Sequence, residues 1–134
     1  MNVASADELP LAEPEDVVRV RQKVRARMVE TGFSLVDQTK MVTAASELAR
    51  NALDHGGGGT VLVETVTEAE RVGVRLRVTD HGRGIADLEL ALSDGYSTTG
   101  GLGLGLGGAR RLVNEFEIDS KTGEGTTVVA TRWR

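Results

Sequence analysis

Two short polar patterns, about thirty residues apart, constrain this chain more than any other feature. The first is Glu47-Leu-Ala-Arg-Asn51, inside a helical run. The second is Asp80-His-Gly82-Arg-Gly84, directly after the alternating strand Val72–Val78. The helix would present a carboxylate and a carboxamide, and the strand end a carboxylate beside glycines. Together they predict a nucleotide site where a helix meets the end of a strand.

The helical run predicts which of its polar side chains share a face. Ser34 is a good N-cap, and apolar residues then recur at roughly helical spacing until Gly56. Glu47, Asn51 and His55 are four residues apart, so they share one face. The alternative is a solvated polar stripe on an amphipathic helix. We expect a site because other motifs accompany this face.

The end of the strand is suited to recognising a ligand's amino group. Asp80 follows a run in which alternate valines and a leucine face one side, and a carboxylate there can accept hydrogen bonds. Gly82 and Gly84 can adopt positive φ and allow close approach. The alternative is an ordinary surface turn, because Asp-His-Gly is common turn chemistry.

A glycine-dense segment from Gly100 to Gly108 is the least ambiguous motif. It precedes a helical run, Ala109–Val113, whose first N–H groups could bind a phosphate. We discount a dinucleotide-binding fold, since no apolar strand precedes the glycines. No P-loop pattern is present. We expect residues 93–105 to form a flexible lid.

Composition narrows the class of protein. The chain has 134 residues, which suits one domain. A net charge of −4 and 3% aromatic residues argue against nucleic acid as a partner. Zero cysteines fit a cytoplasmic protein, and no apolar run approaches the ~20 residues of a membrane span. We also see no signal-peptide pattern.

The remaining segments predict an α+β fold with helices on one face of a sheet. Residues 1–7 are expected to be a loose tail, with the domain spanning residues 8–134 and a short edge strand at its start. A helix from Pro14 would bury a valine-rich stripe and expose Arg19, Lys23 and Arg27, either as a solvated face or as a docking surface for an acidic partner. Two hairpins are predicted over 60–79 and 116–133.

The order of the motifs resembles the N, G1, G2 and G3 boxes of the GHKL (Bergerat-fold) ATPase and kinase superfamily. The four matching patterns are Glu47-x-x-x-Asn51, Asp80-x-Gly82-x-Gly84, Gly101-x-Gly103-x-Gly105 and Gly123-x-Gly125-Thr126. Within that superfamily the chain is similar to the small serine kinases and anti-sigma factors of bacterial switches. The resemblance implies a two-layer α/β sandwich with a mixed, mostly antiparallel sheet.

The resemblance also implies roles for single residues, with ATP and Mg²⁺ as cofactors. Asn51 would hold the metal, and its oxygen is of the hard type that Mg²⁺ prefers. Asp80 would bind the adenine amino group, and Glu47 would act as a base toward an attacking hydroxyl. The other nucleotide-binding positions are Gly82, Gly84, Gly101, Gly103, Gly105, Gly107 and Thr126.

The implied activity is phosphorylation of a serine or threonine on a STAS-domain antagonist. The main alternative is an anti-sigma factor that sequesters a sigma factor. Docking on a PP2C-type phosphatase can coexist with the kinase role. Histidine autophosphorylation at His55 is disfavoured, because the chain has no room for a separate helical acceptor domain. A zinc site at Glu47, Asn51 and His55 is disfavoured as well, since asparagine is a poor zinc ligand.

Overall fold

A computed structural model describes residues 1–93 and 105–134 of the chain. The centre of the predicted lid, residues 94–104, lies outside this description. Among the described residues, no helix combines the length and apolarity needed to cross a membrane. The described elements, in chain order, are β1 (Asn2–Leu11), α1 (Pro14–Glu30), α2 (Leu35–Gly56), β2 (Gly59–Glu68), β3 (Arg71–Asp80), α3 (Leu88–Ala91), α4 (Gly105–Arg111), β4 (Glu115–Lys121) and β5 (Gly125–Trp133).

The strands form one sheet in the order β1-β2-β3-β5-β4. The two predicted hairpins, β2–β3 and β4–β5, lie side by side because β3 pairs with β5. Every described pairing is antiparallel, whereas the resemblance implied a mixed, mostly antiparallel sheet. Alternate residues of β3 are buried together with the apolar stripes of α1 and α2. The predicted α+β class, with helices on one sheet face, is confirmed.

Both long helices begin and end as their sequences predict. Pro14 occupies the first turn of α1, and the Asp16 carboxylate accepts the Glu13 N–H at 3.0 Å at the start of that helix. The Ser34 hydroxyl accepts the Asp37 N–H at 3.2 Å and caps α2. Gly57 ends α2 in the left-handed region at φ 73°. These local signals fix α2, which carries the predicted Glu47–Asn51 face.

The prediction of a loose tail over residues 1–7 is wrong, because β1 begins at Asn2 and pairs with β2 along its length. Arg27 explains this order: its guanidinium donates to Ser5 and Asp7 on β1 and to Thr65 on β2 at 3.3 Å. These long-range bonds hold a polar edge strand that has no apolar pattern of its own.

The three basic residues of the predicted face on α1 have acidic partners within the chain. Lys23 lies 3.9 Å from the Asp7 carboxylate, and Arg19 is bound to Asp16. The Arg27 side chain is only 12% exposed and pairs with Asp7. Arg27 is therefore used inside the chain, whereas Arg19 and Lys23 pair with the chain's own acidic residues but remain exposed.

An ion pair joins the start of α2 to the last strand. Arg132 of β5 donates to the Asp37 carboxylate at 2.6 Å and to the Leu112 carbonyl at 2.8 Å, just after α4. The Arg132 hydrogen bond lowers the pKa of Asp37 below its ordinary value of 3.8, against the opposing effect of burial. A single side chain thus links α2, β5 and the segment that follows α4.

This pair predicts a pH-dependent part of the stability. Because the folded state lowers the pKa of Asp37, its contribution is complete above 3.8, the unfolded value, and disappears as pH falls through the lower folded pKa. We expect Asp37→Asn to lower the free energy of unfolding by about 1 kcal/mol at neutral pH. Its difference from wild type should shrink in strong acid. Urea unfolding at both pH values measures this. Asp119→Asn, an exposed carboxylate on β4, is the control, and equal responses of the two variants would contradict the assignment.

Candidate functional site

The polar face of α2 opens into a cavity of about 540 Å³. Glu47, Asn51 and His55 all line it, so the prediction that these side chains share one face is confirmed. The opposite wall includes Gly84 and Ile85, from the loop after β3. The cavity therefore lies where a helix faces the loop at a strand end.

Glu47 is the most unusual side chain of this cavity. It is 6% exposed, and its Oε1 atom is buried without a hydrogen-bond partner among the described residues. A buried oxygen of this kind normally has a partner, and an unpaired one costs free energy. Since the residue lines the cavity, the missing partner is readily supplied by a bound ligand.

Hydrogen bonds hold both sides of the loop that follows β3, residues 81–87. The Gly82 N–H donates to Asp80 Oδ1 at 3.0 Å. The Gly123 N–H, from the β4–β5 turn, donates to the Arg83 carbonyl at 2.7 Å. Gly84 has φ +77°, and a β-carbon there would lie 2.3 Å from the Lys121 carbonyl oxygen. The sequence therefore needs glycine at position 84 to bring this loop against the turn.

Asp80 lies beneath the end of α2 and borders a second cavity at the ends of β3 and β5. It is 7% exposed, and an ideal β-carbon on Gly56 would lie 2.2 Å from its Cγ atom. Asp80 pairs with Thr126 across β3 and β5, and both line a separate cavity of about 260 Å³. Asp80 and Thr126 therefore do not line the large cavity beside Glu47 and Asn51, although the 81–87 loop borders both cavities.

The predicted phosphate-binding glycines are only partly described. Gly105 begins α4 and lines the large cavity. Gly107 is buried in α4, where a β-carbon would lie 2.3 Å from the Leu92 carbonyl oxygen. Its visible role is close packing. Gly101 and Gly103 lie outside the described residues.

Sequence reasoning missed several residues at these walls. Arg50 lines the large cavity beside Asn51, and Leu90 and Thr122 also contribute to it. Ser120 lies next to Thr126 on the neighbouring strand. Because Arg50 lies within the Glu47–Asn51 motif, the sequence could have suggested that it lines the same cavity. Ser120 carries no sequence signal, because only strand register brings it to Thr126.

The donor set limits how a metal could bind here. Among residues 1–93 and 105–134, no three His, Cys, Asp or Glu side chains come together as a metal cluster. The large cavity does offer the carboxamide of Asn51. A hard cation at that point would therefore take most of its oxygen ligands from the bound ligand, which is how Mg²⁺ commonly binds with phosphates.

Comparison with known proteins identifies the family of this chain. Residues 36–133 match the family described as histidine kinase-, DNA gyrase B-, and HSP90-like ATPase. The chain is 43% identical over 118 residues to the serine/threonine-protein kinase RsbT of Bacillus subtilis, covering 88% of this chain and 89% of RsbT. It is 32% identical over 125 residues to an anti-sigma F factor of Anoxybacillus flavithermus, covering 88% and 83% of the two chains.

A solved structure shares the fold. It contains the RsbU and RsbW domains of a Mycobacterium tuberculosis protein and superposes with a TM-score of 0.63 at 24% identity. The match covers 98% of this chain but only 33% of the solved one. At that identity the likeness supports the fold alone. From the family match and the similarity to RsbT, the chain belongs to the histidine kinase-, DNA gyrase B- and HSP90-like ATPases, as a serine/threonine-protein kinase of that family.

Proposed function

We propose that this serine/threonine-protein kinase works in the bacterial cytoplasm as part of a partner switch, and transfers the γ-phosphate of ATP to a STAS-domain antagonist. The observation that carries the proposal is the buried, unpartnered Oε1 of Glu47, one helical turn from Asn51 on a cavity wall. Phosphoryl transfer needs a positioned acceptor and a held triphosphate. This face of α2 is suited to both.

Glu47 is proposed as the general base. The oxygen of the acceptor hydroxyl attacks the γ-phosphorus, and the bond from that phosphorus to the β–γ bridging oxygen breaks. ADP leaves, and the hydroxyl proton passes to the Glu47 carboxylate. The side chain is over nine-tenths buried, and its Oε1 atom has no hydrogen-bond partner among the described residues.

Asn51 is proposed to hold Mg²⁺ together with the triphosphate. When bound, the metal would neutralise charge on the phosphate oxygens. The carboxamide oxygen of Asn51 is a suitable hard ligand, and its position four residues from Glu47 places metal and base on one helix face.

Asp80 and Thr126 are proposed to hold the adenine. Asp80 Oδ1 already accepts the Gly82 N–H, which leaves Oδ2 for the adenine amino group. The loop of residues 81–87 lines both cavities, through His81 on one side and Arg83–Asp87 on the other. A nucleotide lying along this loop, beside Gly82 and Gly84, would have its base near Asp80 and its phosphates near Asn51 and Gly105. We propose Gly101, Gly103 and Gly107 for the phosphate segment as well.

Charge explains why phosphorylation would end the complex with the antagonist. A phosphate adds about −1.5 to −2 charges to the acceptor surface. That surface would face a pocket already holding an anionic nucleotide, so repulsion favours release. The freed kinase could then activate a PP2C-type phosphatase. Because Arg19, Lys23 and Arg27 are paired within the chain, we do not assign that docking to them.

An anti-sigma role is the second candidate, favoured by the 32% identity to an anti-sigma F factor. In this alternative the chain sequesters a sigma factor and phosphorylates the antagonist that would release it. The pocket chemistry is the same in both roles. They differ in which protein binds the outer surface.

The first prediction separates the proposed base from the proposed metal ligand. Glu47→Gln keeps the shape but cannot accept the proton, so phosphoryl transfer should fall by about 10²–10⁴-fold with ATP affinity retained. Asn51→Ala should abolish transfer and remove the gain in ATP affinity that Mg²⁺ provides. Calorimetry with and without Mg²⁺, beside a labelled-phosphate assay, measures both effects. Undiminished transfer in either variant would count decisively against this site.

The second prediction concerns Asp80. Asp80→Asn should keep the bond from Gly82 but replace the acceptor for adenine with a donor, so ATP affinity falls and discrimination against GTP relaxes. A charge-assisted bond of this kind is worth about 1.5–3 kcal/mol. Calorimetry with both nucleotides measures the change. Asp54→Asn, an exposed carboxylate on α2, controls for net charge. Equal ATP affinity in the Asp80 variant and wild type would sink the assignment.

The third prediction distinguishes the switch kinase from the anti-sigma factor. Incubated with candidate STAS-domain proteins and labelled ATP, the chain should label a serine or threonine, and labelling should weaken the complex. The Glu47→Gln protein is the matched control and should bind the antagonist without labelling it. Sigma factors are tested in parallel by pulldown. Tight sigma binding with no STAS phosphorylation would overturn the switch-kinase proposal and support the alternative.

A further inference from the structure

Three polar side chains form a row across the helix-facing side of three strands. Asp80 on β3 pairs with Thr126 on β5, and Thr126 pairs with Ser120 on β4. The first two are the proposed adenine contacts. Ser120, the third member, has no role assigned by any sequence motif.

Ser120 connects three separate parts of the chain through one hydroxyl. Its Oγ accepts the Ile85 N–H at 2.8 Å, in the loop that borders both cavities. The same oxygen lies 2.7 Å from Thr126 Oγ1 and 3.2 Å from the Gly125 carbonyl oxygen. The hydroxyl therefore joins the loop wall to the strand that carries Thr126.

The bonds of the Ser120 hydroxyl determine whether Thr126 can donate a hydrogen bond to a ligand. A serine hydroxyl has one hydrogen to donate and two lone pairs to accept. One lone pair receives Ile85, and the hydrogen goes to Thr126 or to the Gly125 carbonyl. If it goes to Thr126, the hydrogen of Thr126 is free for a ligand. If it goes to Gly125, Thr126 donates to Ser120 and can only accept from a ligand.

We infer that Ser120 is a positioning residue of the nucleotide site, which fixes the loop at Ile85 and sets the hydrogen-bonding direction of Thr126 toward the base. This inference rests on the proposed function. Ser120 bonds to Ile85 and to Thr126 or Gly125 inside the protein, so it acts through these neighbours. It determines base recognition without being a catalytic residue.

The test compares three variants of the full chain by calorimetry with a nonhydrolysable ATP analogue, and by steady-state kinetics. In Ser120→Ala the Ile85 N–H loses its partner and Thr126 loses its orientation, so ATP affinity should fall by about tenfold. The turnover number kcat should remain near that of wild type, because Glu47 and Asn51 lie on α2. Ser120→Thr keeps the hydroxyl and should restore affinity. Thr60→Ala, which removes an exposed hydroxyl on β2 that lines neither cavity, is the matched control.

The outcomes separate this inference from the proposed function. If the wild-type chain does not bind the ATP analogue, the proposed function fails and this inference fails with it. If wild type binds and Ser120→Ala binds equally well, only the inference on Ser120 is overturned. A parallel fall of affinity and kcat that Ser120→Thr does not restore would also overturn it.

A measurement on the wild-type chain keeps the inference testable if Ser120→Ala does not fold. The Ile85 amide, bound to the Ser120 hydroxyl, should exchange its hydrogen slowly, and bound nucleotide should slow it further. Exchange at the rate of an unprotected amide, with or without nucleotide, would overturn the inference.

Discussion

The contact between the end of α2 and the end of β3 is the constraint on which the rest of the site depends. The buried Asp80 carboxyl group occupies the space where a β-carbon on Gly56 would stand, 2.2 Å from its Cγ. A β-carbon on Gly82 would likewise lie 2.5 Å from the Gly56 Cα atom. Two glycines thus allow a helix and a strand end to meet through backbone and one carboxylate. Because α2 also carries Glu47 and Asn51, this contact sets their distance from the loop that follows β3.

Local sequence signals were sufficient for the elements that build this contact. The Ser34 cap, the glycine stop after α2 and the four-residue spacing of Glu47, Asn51 and His55 all act within one helix. The two hairpins follow from alternation within neighbouring segments. Such features depend on residues close in sequence, so the fold class and the shared helix face could be predicted without coordinates.

Contacts between distant residues account for what the sequence did not predict. The first half of β1 is ordered through its hydrogen bonds to Arg27. These bonds use a cation that the sequence alone could assign to an external partner. Ser120 reaches Thr126 and Ile85 only through strand register and a loop. The 81–87 loop borders both cavities, and its position depends in the same way on a distant contact, the hydrogen bond from the Gly123 N–H to the Arg83 carbonyl. No motif spacing encodes these arrangements.

The proposed role of Glu47 as the base bears on which proteins can serve as acceptors. Because the side chain is 6% exposed at the cavity wall, an acceptor hydroxyl has to enter the cavity to reach its carboxylate. We infer that the acceptor serine or threonine lies on a turn or helix end that protrudes into the cavity, beside the nucleotide. The chemistry is then fixed inside the cavity, and partner choice depends on the surface around its mouth. Such a division explains how a kinase and an anti-sigma factor can both be relatives of one chain.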